Sequence, residues 1–374
     1  MTTAGRPRLT KRVFLFVSFG LLAFLLYLYY LVGLTNIADI IERTNLVYYA
    51  SAFIAFVVGI VFMSLSWHDL LDNLAVHNSI RRNFQLVWAG MFFDAVVPEP
   101  GWTGDLLRAY VMSKTSNQDA GTIAASVIGQ KIIGMAITVI DLVLGLTILA
   151  FNYSLPTSVS IFIAFVLFLS AFSLFIVVYF SSRPKATKKM LDWLIRFVSF
   201  LRRGRWNPTS FRNRAQETLG EFHEGIRALS GNLKALVRPI VFSLVSWAFD
   251  VSVIFLVFAS LRYPIPVDKV LIVYALTGSL QAIGVSLVGF TEIVVSSSYA
   301  ILGLPIAVSM SATLLTRIVT LWLKLVVSYI AFQWTGVELL MGQGPKNRDS
   351  RHNAGGKGNG IGESAKPKLA EEER

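Results

Sequence analysis

Six apolar runs, at 13–34, 47–67, 122–150, 157–180, 238–261 and 307–333, dominate the chain. A helix rises about 1.5 Å per residue, so roughly 20 residues cover a hydrocarbon core of about 30 Å. Within that core every backbone N–H and C=O must be satisfied by the segment itself or by a closed barrel. Long apolar runs without period-two alternation therefore predict an all-α polytopic membrane protein with about six full transmembrane helices. Only 15% of residues are charged, well under the quarter usual in soluble domains. The sequence has no cysteine, which excludes disulfides, thiol nucleophiles and thiolate metal sites. His68, His77, His223 and His352 are scattered without ligand spacing, so no metal or other cofactor is expected.

Two further apolar regions, 83–112 and 270–303, are interrupted at their centres by PEPGWTG (98–104) and GVSLVGFTE (284–292). Each half is too short to cross a bilayer alone. Both regions are predicted to be re-entrant helical hairpins, broken where protein or a wet cavity surrounds the backbone.

These boundaries divide the chain into a basic N-terminus (1–12), a first membrane half (13–180), a basic loop (181–237), a second membrane half (238–340) and a tail (341–374). The tail is rich in Gly, Lys, Glu and Asn and nearly free of apolar residues, so disorder is expected there. Nearly all Lys and Arg outside the apolar runs fall in the termini, 68–82, 113–121 and 181–237. Of these residue types the opposite loops carry only Arg43, Arg262 and Lys269. The positive-inside rule then places both termini in the cytoplasm, at the cell membrane. The formal charge of +12 reports topology first, and no nucleic-acid partner is expected. In the loop, the segment 188–203 suits a helix in the headgroup layer. Ala215, Leu219, Phe222, Ile226 and Leu229 repeat as on a helix that packs against a partner.

The same map admits an inverted repeat. Span 47–67, its hairpin and span 122–150 would oppose span 238–261, its hairpin and span 307–333. Gly101-Trp102-Thr103 with Asp105 is matched by Gly289-Phe290-Thr291 with Glu292, and Lys131 by Arg317. Inverted repeats with broken helices are a recurrent plan for transporters, with the site where the repeats meet.

Ionisable groups inside spans are costly and are functional candidates by default. Candidates for substrate contact are Arg108, Lys131, Arg317 and Lys324, with Asp105, Glu292 and Glu99 at the hairpins. The cations suit an anionic headgroup, and Arg offers a planar fork to phosphate oxygens. For Asp105 and Glu292, capping of a half-helix and pairing with a cation is the competing role. Arg317 and Lys324, seven residues apart, fall on one face of a regular helix.

At these motifs the chain resembles the transmembrane region of lysylphosphatidylglycerol synthases, also described as flippase-like membrane proteins. The resemblance rests on Pro98, Gly104, Asp105, Arg108-Ala109-Tyr110, then Ala125-Ser126-Val127 with Lys131, and Gly289, Glu292, Arg317 and Trp322. It departs at 286–289, where Ser-Leu-Val-Gly replaces a Pro-Gly-Gly run, and at Lys131, where Arg is usual. The resemblance implies a stand-alone lipid-translocating module without the aminoacyl-transferase domain.

The resulting expectation is a lipid translocase, not an enzyme, that moves an anionic or polyprenyl-phosphate-linked headgroup between leaflets. The alternative is a membrane-embedded enzyme or scaffold of lipid or glycan biosynthesis. A glycosyltransferase or lipid-modifying enzyme is the class of protein partner such a role admits.

Overall fold

A computed structural model describes residues 42, 44–96, 102–116, 118–152, 157–201, 209–282 and 289–340. The run 13–34, the hairpin tip with Glu99 and the tail 341–374 lie outside the described residues. The described part is helical, in the order α1 (Leu46–Asp72), α2 (Ile80–Val96), α3 (Thr103–Ser116), α4 (Ala120–Asn152), α5 (Thr157–Ser182), α6 (Pro184–Leu201), α7 (Thr209–Gly231), α8 (Leu233–Ser260), α9 (Val267–Ala282), α10 (Phe290–Ile301) and α11 (Ile306–Arg317). A π-helical segment, Ile318–Leu323, joins α11 to α12 (Lys324–Leu340). Five stretches are long and apolar enough to cross a membrane: α1, α4, α5, α8 and the composite Ile306–Trp334. They coincide with the five expected spans that fall within the described residues.

Helices α1 and α8 form the centre and run antiparallel. The Asn45 N–H donates to the Ser260 carbonyl (2.7 Å), and at the other end Asn73 Nδ2 donates to the Ala235 carbonyl (3.0 Å). That carbonyl is available because Pro239, four residues on, has no N–H to give it. Midway, Ser246 Oγ donates to the Gly59 carbonyl (2.9 Å). The two helices begin alike. Asn45 Oδ1 accepts from the N–H of Val47, and Asn232 Oδ1 from that of Ala235, as capping asparagines do.

Each broken region folds back on itself. In the first, Gly90 of α2 meets Gly104 of α3, and Asn78 before α2 reaches Met112 near the end of α3. In the second, Lys269 near the start of α9 approaches Gly303 just beyond α10. The helices of these hairpins have 17, 14, 16 and 12 residues. All fall below the roughly 20 residues of a full crossing.

The halves repeat in register. Leu46 and Leu233, Ile80 and Val267, and Thr103 and Phe290 start corresponding helices, each 187 residues apart; Ala120 and Ile306 are 186 apart. Packing follows the same exchange: α1 lies on α8, α2 on α12, and α9 on α4. Because α1 and α8 are antiparallel, the repeat is inverted.

Outside this core, α5 shows an apolar stripe of Ile161, Phe165, Phe168, Phe172 and Phe175, all exposed and spaced by four and three as on a lipid-facing surface. Helix α7 docks on α4, where a side chain at Gly121 would collide with the Thr218 carbonyl and one at Gly225 with Ala125. Leu229 is buried beside Gly129, at the end of the apolar face expected from the sequence.

Candidate functional site

Two charged clusters form at the hairpins, one per repeat. In the first, Asp105, the third residue of α3, pairs with Arg108 (2.8 Å) and with Lys131 of α4 (2.7 Å). Arg108 is only 4% exposed. Its other terminal nitrogen donates to Gln130 Oε1 (2.6 Å), and its guanidinium lies 4.8 Å from the Trp67 ring centroid. Gln130 Nε2 donates to the Met63 carbonyl (2.7 Å), and Trp67 Nε1 donates to Ser126 Oγ (3.0 Å). Lys131 also lies over the Trp102 ring at 4.0 Å. The cluster is a closed network between α1, α3 and α4.

In the second, Glu292 is the third residue of α10 and 2% exposed. One oxygen accepts the Gly289 N–H (2.6 Å), and the other accepts Arg317 Nε (2.6 Å). Gly289 sits at φ +94°, a conformation that favours glycine. Acid and base are 26 residues apart in the first cluster and 25 in the second. The correspondence read from sequence is thus a correspondence in space.

The clusters differ in what surrounds them. Around Arg317 lies a cavity of about 280 Å³, reached by α1, α2, α8, α9, α10, α11 and the π segment. Its polar lining includes Asp250, Tyr274, Thr313, Thr316, Arg317 and Lys324. Of the sequence-derived candidates, Arg317 and Lys324 line it. Glu292 lies behind Arg317, and Asp105, Arg108 and Lys131 are not among its lining residues. The expectation of one regular face for Arg317 and Lys324 fails in detail, because the π segment widens the turn between them. Both still reach the same cavity.

Arg317 uses Nε on Glu292 and makes no other hydrogen bond to the described residues. Lys324 has no carboxylate within 4.0 Å among the described residues. It feels the charges of Arg317, Asp94 and Asp250. A space with unengaged donors of two cations can bind an anion, and the surrounding apolar packing strengthens the attraction.

Sequence reasoning named Asp94 and Asp250 as intramembrane acids but gave them no place at the site. Asp94 Oδ1 accepts the Gly104 N–H (2.8 Å) at the start of α3, so it performs the cap considered for Asp105. Asp250 hydrogen-bonds with Tyr274. Tyr274 went unnoticed, since one tyrosine in an apolar run carries no signal of its own.

Such an architecture defines an all-α multi-pass membrane protein made of two inverted copies of one unit, with a polar cavity between them. The chain belongs to the family of the lysylphosphatidylglycerol synthase TM region, whose model matches residues 14–328. It is similar to a UPF0104 membrane protein of Methanocaldococcus jannaschii, 24% identical over 330 residues, covering 87% of this chain and 95% of that protein. A UPF0104 membrane protein of Pyrococcus horikoshii is 22% identical over 319 residues, covering 83% and 93%. One of Methanothermobacter thermautotrophicus is 22% identical over 316 residues, covering 82% and 90%. No solved structure matches the chain.

Proposed function

We propose that the protein is a lipid translocase that moves an anionic phospholipid or polyprenyl-phosphate-linked headgroup between leaflets, and that it performs no covalent chemistry. The observation that carries this reading is the pair Arg317 and Lys324, two cations with unengaged donors in a cavity beside the central spans. Placing unpaired charge there is costly, and an anionic ligand offsets that cost. A second, apolar cavity of about 340 Å³ lies on the other side of the α9–α10 hairpin, with Ile272, Leu276, Ile293 and Val294 in its wall. It suits the hydrocarbon part of the same ligand.

The inverted repeat supports movement rather than static binding. The second half holds the open cavity, while its counterpart in the first half is filled by Arg108, Gln130 and Trp67. Exchanging these two arrangements would close one access and open the other, as in other inverted-repeat transporters. In this reading the hairpins are re-entrant, both termini are cytoplasmic and the protein sits in the cell membrane.

The test is reconstitution into vesicles holding fluorescent phosphatidylglycerol, with a membrane-impermeant quencher reporting the outer leaflet. The wild type is expected to equilibrate the probe across the bilayer, and the Arg317→Ala, Lys324→Ala double variant to lose most of that rate. Equal rates in both would overturn the reading.

A further inference from the structure

The cavity holds more negative than positive charge before any ligand enters. Arg317, Lys324 and Asp250 line it, Glu292 is bound to Arg317, and Asp94 acts on Lys324 from α2. Two cations thus face three carboxylates. The neighbouring cluster has the opposite excess, Arg108 and Lys131 against Asp105. Across both clusters the signs balance. A phosphodiester adds one uncompensated negative charge. At an effective dielectric of about 20, a like charge at 4 Å costs about 4 kcal/mol.

We propose that Asp250 takes up one proton whenever an anionic headgroup occupies the cavity, so that headgroup translocation is coupled to proton movement. The proposal rests on the anion-binding reading above and adds the coupled ion. The step is a protonation alone: the Asp250 carboxylate gains a proton from water as the phosphate enters, and returns it on release.

Asp250 is singled out by what its fellow carboxylates are doing. Glu292 holds Gly289 and Arg317, Asp94 holds the Gly104 N–H, and Asp105 holds two cations. Protonating any of these breaks a direct bond to its charged form. Asp250 has no cation within 4.0 Å among the described residues. It faces the Tyr274 hydroxyl from α9 and the Lys324 charge from α12, with Arg317 further along the cavity wall. Tyr274 is in turn under the influence of Asp141 on α4, which accepts from Trp247 Nε1 (3.4 Å). Tyr299 is the ionisable group α10 gives the lining. From α1, Phe56, Gly59, Ile60 and Met63 offer no charge, and from α2 Met91 lines the wall. A phosphate that engages Lys324 weakens the attraction that keeps Asp250 ionised.

The experiment is calorimetric titration of the purified full chain with water-soluble dihexanoyl phosphatidylglycerol. It is run in buffers of different ionisation enthalpy, with and without sodium, across pH. The wild type is expected to take up about one proton per bound probe, with affinity falling up to tenfold per pH unit on the alkaline side. Asp250→Asn is expected to take up none, to lose that pH dependence and to bind more tightly than the wild type at alkaline pH. Binding without proton uptake, uptake that survives in Asp250→Asn, or a requirement for sodium instead would overturn the proposal while leaving the anion site standing. Failure of the wild type to bind the probe would overturn both. Loss of binding in Arg317→Ala, Lys324→Ala together with normal proton counts in the wild type supports both. Should Asp250→Asn fail to fold, the wild-type count decides, with Tyr274→Phe expected to move the midpoint of the pH dependence.

Discussion

Arg108 shows how far a residue's chemistry can be read before its neighbours are known. Its cost inside an apolar region marks it as a group with a task, and its spacing from Asp105 allows a pair on one helical face. The third partner is invisible in sequence, because Gln130 and Trp67 come from α4 and α1 through packing alone. With a carboxylate, an amide and an indole already on it, Arg108 is a structural keystone of the closed half. Breaking a buried pair by removing one partner typically costs about 3–5 kcal/mol. Arg108→Ala is therefore expected to lower the free energy of unfolding in detergent by about that much. Arg108→Lys should recover only part, since an ammonium cannot span Asp105 and Gln130 while lying on the ring. A variant as stable as the wild type that no longer binds anionic lipid would instead make Arg108 a ligand contact.

At the level of elements, the breaks were legible and their construction was not. Pro and Gly at 98–104 and glycine at 284 and 289 announce interruptions, and the helices stop and restart around them. What holds the first hairpin shut is the approach of Gly90 and Gly104. A side chain at Gly104 would collide with the Gly90 carbonyl and come within 2.6 Å of the Asp94 carboxylate. The glycine thus allows both the helix contact and the cap. Gly104→Ala must push α2 from α3 and break the Asp94 bond, so a loss of about 1–3 kcal/mol is expected from overpacking. Hydrogen exchange should rise in α3 and stay unchanged in α5. Equal protection in α3 would show that the contact is slack. The π segment was illegible for a related reason. Ile318-Val319-Thr320 reads as ordinary spanning helix, and the wider turn emerges only where α11 must place Arg317 on Glu292 and α12 must still pack on α2.

At the scale of the molecule, sequence carried the repeat further than its weak similarity suggested. Asp105 and Glu292, like Lys131 and Arg317, could be paired by eye, and their offset recurs at every helix start. Hidden in the sequence was the asymmetry. Position 187 residues after Arg108 is Val295, on the cavity wall, and position 186 before Lys324 is Thr138. One half therefore keeps a cation where the other keeps space. The absence of cysteine makes the chain a clean background for testing whether that difference is exchanged. Thr320 lines the cavity, and Gly134, its counterpart 186 residues earlier, has nothing within 4 Å of its missing side chain. In vesicles of fixed orientation, Thr320→Cys is expected to react with a membrane-impermeant maleimide from one side and Gly134→Cys from the other. Added anionic lipid should raise one rate as it lowers the other, because a single rearrangement governs both. Reaction of both cysteines from the same side, or rates that do not respond to lipid, would reduce the inverted repeat to a feature of ancestry with no alternating access behind it.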